Sequence, residues 1–424
     1  MSNTPKARRS KPRATMRAAA ESVVRQLTDA GHVALFAGGC VRDMLMGKRP
    51  SDYDVATSAP PKTVTRLFRR TQQVGAKFGV VLVRLDGHTI EVATFRRDVA
   101  YSDGRRPTAV EFTDAREDAI RRDFTINGMF YDPQKREVVD HVGGQDDLKK
   151  RVIRAIGDAP QRFAEDHLRL LRAVRFAARF DFQIERGTWQ AMCAHASEIA
   201  KISPERIREE LESILAHPSR ARAFGDLCEC GVFGHLWPSA ANVLPHREFV
   251  QKCLAALPAD ADFELAFAAI LAPLESKLIG PAADALRCST LTKRTLGWLH
   301  ERQSALDEPS KLALADLKLL MAKPAFGQLL HLFVSRLKAA DVSQEALREM
   351  KARVRRIRPT DIAPPPLFTG HDLEKLGLAK GPAYKRILES VYYCQLNEEL
   401  SDRASAMAYA KQLVADETAR RTKA

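Results

Sequence analysis

Strand-like runs are confined to the first third of this 424-residue chain, and that asymmetry constrains its fold more than any other feature. Short β-branched and aromatic runs over 33–37, 52–57, 79–85, 89–95 and 137–141 predict strands, with Asp86-Gly87-His88 as a hairpin turn between the third and fourth. From about residue 149 onward, Leu-, Ala- and Arg-rich segments recur at helical spacing and strand signals disappear. The expected class is α+β: an N-terminal head with a mixed β-sheet and helices, then an all-α remainder. The chain is also too long for one compact core. The predicted divisions are a disordered basic arm over 1–20, a head over 21–148 and helical segments over 149–215 and 216–358. A Pro-rich linker over 359–366 and a helical tail over 367–424 complete them. Within the head, the polar stretch 97–117 reads as a mobile loop.

Charge narrows the partners. The net charge of +14 and a pI near 9.5 suit a polyanion, of which nucleic acid is the commonest, and general surface basicity is the competing reading. The first 20 residues carry six basic side chains, no acidic ones and no apolar core segment, which fits a basic arm or an organelle transit peptide better than a secretory signal. No apolar run approaches the roughly 18 residues a membrane span needs. The seven cysteines are scattered without zinc-ligand spacing, as expected of reduced thiols in a cytoplasmic protein.

Five segments carry chemistry, the first of them running from Gly38 to Asp54. Gly38-Gly39 falls between a predicted strand and a predicted helix, where a phosphate can approach free backbone N–H groups. Asp52-Tyr53-Asp54 puts two carboxylates on one face of the next strand, a pattern for divalent metal ligation. Glu91, on the strand 89–95, reads either as a surface residue or as a third carboxylate if its strand lies beside 52–57. In Arg121-Arg122-Asp123-Phe124-Thr125-Ile126-Asn127, two cations and an amide suit a triphosphate or ribose hydroxyls, or simply begin a helix with Asp123 as its cap. Asp140 to Leu148 reads as a connecting turn or as a hinge where strands give way to helices.

The fifth segment, Glu165 to Arg179, predicts one helix with Asp166, Arg169 and Arg172 on a shared face. An ion-paired wet face is the plain reading. The chemical one is that adenine and cytosine both present an amino donor beside a ring-nitrogen acceptor, so a carboxylate next to a guanidinium complements them and opposes guanine and uracil.

Taken in order, Gly38-Gly39-x-x-Arg42 with Asp52-x-Asp54, Arg121-Arg122-Asp123-Phe124-Thr125-x-Asn127, Asp140-x-x-Gly143-Gly144-x-x-Asp147-Leu148 and Glu165-Asp166-x-x-Arg169-x-x-Arg172 resemble the class II tRNA nucleotidyltransferases, which comprise CCA-adding enzymes and bacterial poly(A) polymerases. The resemblance covers about 32–180 and the tail, with little to match over 216–358. It implies a catalytic head, a base-recognising neck, an RNA-binding body and a tail. It further implies that Asp52 and Asp54 hold two Mg²⁺, with Glu91 beside them. Gly39, Arg42, Arg122, Asp123 and Asn127 would serve the nucleotide, and Asp166 and Arg169, supported by Arg172, would read the base. The implied activity is addition of CMP, CMP and AMP from CTP and ATP to the 3′ end of tRNA, with A-only addition, poly(A) synthesis and a non-catalytic RNA-binding role as alternatives. Val74 to Val83 lacks the His and most of the charge of the poly(A) polymerase pattern, and loop 97–117 corresponds to the flexible loop tied to switching from C to A addition.

Overall fold

The computed structural model describes residues 15–74, 79–101, 107–342, 345–378 and 381–423. Compactness divides the chain into two units: the chain to Ile214 with Arg222–Leu244 and Ala285–Arg287, and a second formed by Leu215–Ala221, Pro245–Asp284 and Cys288–Ala424.

The first unit opens with α1 (Met16–Asp29), capped by the Thr15 hydroxyl, which accepts from the Ala18 N–H at 3.2 Å. Residues 16–20 are therefore helical, a correction to the predicted arm over 1–20. Ala19, Ala20, Val23, Val24 and Leu27 recur on one face, and their burial offsets the entropy cost of ordering the turn. Residues 1–14 lie outside the described residues. β1 (Ala34–Ala37), α2 (Gly39–Leu45), β2 (Asp54–Thr57), α3 (Pro61–Leu67), β3 (Thr71–Gln73), β4 (Val80–Leu85) and β5 (His88–Thr94) follow. β6 (Arg96–Tyr101) and β7 (Pro107–Phe112) form a separate antiparallel pair, succeeded by α4 (Ala115–Ile120), β8 (Phe130–Asp132), β9 (Glu137–Val139) and α5 (Gly144–Lys150).

Seven strands form one sheet in the order β3-β4-β5-β2-β1-β8-β9, antiparallel except for the β2–β5 pair. Alternation along the strands sends Tyr53, Val55 and Val92 into a core shared with α1, while Ala37, Ala56 and Phe130 pack on the other face with Ala119 of α4. Asp54, in phase with Ala56, and Glu91, out of phase with Val92, belong to this second face.

The predicted loop over 97–117 is mostly regular structure. Arg97 and Glu111 pair across β6 and β7 at 2.6 Å, a cross-strand ion pair that a reading by polarity alone passes over, and Asp114 caps α4; residues 102–106 lie outside the described residues. Strands also persist beyond 149: β10 (Val152–Ile153) and β11 (Gln183–Ile184) pair in parallel, too short for a periodicity signal.

After α6 (Ala159–Glu165) comes a break and then α7 (Arg169–Phe180). The second unit is built of helices, with Phe263–Leu271 almost wholly buried. Its fully buried Arg220 donates to the Leu215, Pro258 and Ala259 carbonyls at 2.6, 2.9 and 3.0 Å, so no carboxylate is required to satisfy it. The predicted linker contains a short helix at Pro359–Ile362, started by proline at its first turn. Gly370–Lys375, Pro382–Leu396 and Arg403–Lys423 form the tail around Leu373, Ile387, Val391 and Ala410. No single helix among the described residues is long and apolar enough to cross a membrane.

Candidate active site

The site begins at the β1–α2 junction. Gly38 has φ +70°, a conformation costly for any L side chain, and a Cβ there would come within 3.0 Å of the Arg122 guanidinium. Gly39 opens α2, and Arg42 follows one turn later. The adjacent β2–β5 register aligns Val55 with Val92, which sets Asp54 beside Glu91 on the same face. Asp52 precedes β2 rather than lying within it, so its exposed carboxylate comes from the loop.

Burial together with Glu91 and Asp52 pushes the Asp54 carboxyl up to about 6, with Arg122 opposing. Among the described residues none of these three acids has an ion-pair partner, and no three His, Cys, Asp or Glu side chains close into a metal cage. Two hard carboxylate oxygens with no paired cation nevertheless fit a divalent ion whose remaining ligands come from substrate and water.

The basic motifs are arranged differently. Arg42 is buried against the Phe180 ring, its guanidinium 4.5 Å from the ring centroid. It donates to Asp43 and, through Nη1, to Asn127 Oδ1 at 2.7 Å. Asn127 Nδ2 donates to Asp123 Oδ1 at 3.1 Å, and Asp123 Oδ2 accepts Arg172 Nε and Nη2 at 2.8 and 2.5 Å. The Arg172 guanidinium and these hydrogen bonds hold the Asp123 carboxyl down at about 2 despite its burial. Four predicted site residues, Arg42, Asn127, Asp123 and Arg172, thus form one continuous chain. Arg122 and Arg121 both grip Asp118, which is 1% exposed.

The predicted single helix over 165–179 is broken. Asp166 is extended, with φ −147°, and its Oδ1 accepts the Leu168 N–H at 3.2 Å as the chain turns into α7. Its Oδ2 pairs with Arg206 at 3.0 Å, while Arg169 pairs with Glu165 at 2.9 Å and donates to the Arg162 and Arg121 carbonyls at 2.7 and 3.1 Å. Asp166 and Arg169 therefore do not pair with each other. The reason is local: an aspartate that caps the following turn competes with helix continuation.

The family description "Poly A polymerase head domain" matches residues 34–154, and "Probable RNA and SrmB- binding site of polymerase A" matches 181–244. The chain is 32% identical to the CCA-adding enzyme of Levilactobacillus brevis over 400 residues, 92% of this chain and 96% of that protein. It belongs to the CCA-adding enzyme family. It is 43% identical to the CCA-adding enzyme of Geobacillus kaustophilus over 222 residues, 52% of this chain and 55% of that one, so the chain spans about half the length of such relatives. The Bacillus stearothermophilus CCA-adding enzyme, solved in complex with CTP, superposes with a TM-score of 0.79 at 28% identity, covering 97% of this chain and all of that one.

Nucleotidyltransferases of this family generally use a divalent metal, in keeping with the two aspartates. Sequence reasoning missed Asp118, Arg206 and Glu210. Asp118 and Arg122 stand at the i, i+4 spacing of a helical ion pair, which was a usable signal. Arg206 and Glu210, which takes Arg175 at 2.6 Å, lie on the helix Pro204–Leu215, too far along the chain for any local pattern to connect them. Asp140 accepts the Val142, Gly144 and Gln145 N–H groups, and a Cβ at Gly144 would fall 2.2 Å from the Thr125 carbonyl, so this predicted turn or hinge is a closely packed connection.

Proposed function

We propose that this protein adds CCA to the 3′ end of tRNA in the cytoplasm, drawing CMP, CMP and AMP from CTP and ATP. The observation that carries the reading is the edge formed by Asp52, Asp54 and Glu91, carboxylates with no ion-pair partner among the described residues, beside the arginine-rich motifs of the same compact unit. In this reading Asp52 and Asp54 hold Mg²⁺, with Glu91 orienting them. The bound ion supplies Lewis-acid polarisation of the phosphate and lowers the pKa of the attacking hydroxyl.

Gly39 leaves room for the triphosphate, and Arg122 and Arg42 offer it positive charge. Arg42 is already engaged by Asn127, so Asn127 and Asp123 orient that guanidinium as well as serving the nucleotide. Asp166 and Arg169 read the amino-donor and ring-acceptor edge shared by cytosine and adenine, each held by its own partner, Arg206 or Glu165. Residues 149–215 would act as the neck, and the helical segments 216–358 and 367–424 would hold the tRNA largely through its phosphates and shape.

The test uses tRNA transcripts ending before CCA, after C and after CC, together with oligo(A), each incubated with Mg²⁺ and CTP, ATP or both. Growth of the bare end to CCA followed by arrest is expected. One A added only to the CC-ended transcript would mark an A-adding enzyme, and a long ladder on oligo(A) a poly(A) polymerase. No extension of any RNA would leave a non-catalytic RNA-binding protein.

A further inference from the structure

Around the turn between β4 and β5, and along the loop that follows α2, lies a furrow whose residues have no part in the proposed reaction. A cleft of about 790 Å³ is walled by the start of α1, by Lys48 and Arg49, and by Tyr53 and His88. His88 is shared with a second cleft of about 300 Å³, which in turn shares Arg70, Arg84 and Asp86 with a third of about 430 Å³ beside Arg69. The three are therefore neighbours that share lining residues. Tyr53 packs in the core on the α1 side of the sheet, whereas Arg84, opposite Thr89 and in phase with Leu82 opposite Glu91, belongs to the other side, so the furrow wraps the end of the sheet.

Six cations line this furrow, Arg17, Lys48, Arg49, Arg69, Arg70 and Arg84, against the single carboxylate Asp86. Arg17 is paired with Glu21 at 2.9 Å, and Lys48 lies over the Phe180 ring. Among the described residues Arg49, Arg69, Arg70 and Arg84 have no acidic partner, and all four are exposed. Unneutralised guanidiniums in a row on a folded surface repel one another, and an external polyanion relieves that repulsion. The aromatic groups Tyr53 and Phe68 are buried, 7% and 5% exposed, so the furrow offers charge without a stacking platform for bases. Residues 1–14, which precede Thr15 in the sequence, carry five cations and no carboxylate, so charge excludes them as the furrow's occupant.

We propose that this furrow is a second RNA site, which holds a single-stranded RNA segment by its phosphates, without base preference, apart from the catalytic carboxylates. A positive groove tracking the backbone is the usual way to bind a strand without reading it. The site goes beyond the proposed activity and does not depend on it.

The test measures anisotropy of a fluorescent 20-nucleotide RNA on the full chain while a saturating unlabelled tRNA acceptor minihelix occupies the catalytic face. Binding that persists under saturation, and that weakens about tenfold with a salt slope shallower by about 2 in R69Q/R70Q/R84Q, is expected. The charge-retaining R69K/R70K/R84K should recover most of it, and nucleotide addition to the minihelix should be unchanged in both. Competition of the strand by the minihelix, or equal affinity and slope in the Gln variant, would overturn the proposal. Anionic phosphatidylserine vesicles that bind through the same arginines while the RNA does not would overturn it in favour of a lipid surface. If the protein fails to add CCA yet the strand binds as described, only the proposed activity falls.

Discussion

Two groups of charged residues in the first unit look equally functional in the sequence and differ fundamentally in the structure. The acids Asp52, Asp54 and Glu91 have no ion-pair partner among the described residues, and burial together with their mutual repulsion raises the Asp54 carboxyl to about 6. Arg42, Asn127, Asp123 and Arg172 satisfy one another end to end, and Asp123 is held near 2. A charge cluster left unbalanced by its own fold is waiting for a ligand. One already balanced holds geometry. The same distinction separates Asp166 and Arg169, each braced by a different partner, from the facing pair that helical spacing suggested.

The largest effect expected is at the unbalanced edge. Asp54→Asn or Asp52→Asn should lower nucleotide addition by at least about a thousandfold, because the charge proposed to hold the ion is gone while packing is kept. RNA affinity should stay within a few-fold, and melting temperature should hold or rise since repulsion is removed. A variant that keeps its turnover would dissolve the comparison.

At the balanced network the loss should appear first in stability. Asp123→Ala leaves the Arg172 guanidinium without its main partner and should cost about 3 kcal/mol in chemical denaturation, with a smaller drop in turnover. Its pH dependence follows from the sign of the shift. Asp123 has a folded pKa below its unfolded one, so its stabilisation is present above about pH 4 and is lost as pH falls towards 2. The stability gap between wild type and Asp123→Asn should therefore narrow across that window. A gap that widened there would reverse the assignment of charge.

Smaller effects sharpen the boundary between the two groups. Gly38→Ala should cost about 1–2 kcal/mol from backbone strain and displace Arg122, which stands on the acids' side of the comparison. Arg206→Ala should relax rejection of UTP and GTP several-fold by freeing Asp166, with little change in CTP turnover. Unchanged nucleotide choice would show that Asp166 needs no brace.

Much of this was legible beforehand. Strands over 33–37, 52–57, 79–85 and 89–95 appear within a residue or two, because buried β-branched runs carry their own signal. Glu91 could be proposed but not placed until the parallel β2–β5 register set it beside Asp54, a pairing across the sheet that no local pattern encodes. Met16 to Ala20 were misread since basic flanks masked the apolar spacing of α1, and β6–β7 were misread because an ion-paired hairpin is as polar as a loop. The break at Asp166 was hidden by its neighbours' helical periodicity, which cannot show an aspartate turning back to cap the next helix.

The most direct test of the contrast is calorimetric titration of Mg²⁺ into the CTP-bound protein for wild type, Asp54→Asn and Asp123→Asn. The expected result is ion binding in wild type and Asp123→Asn and its loss in Asp54→Asn. Equal ion affinity in all three would contradict it, and would move the metal site away from the carboxylate edge.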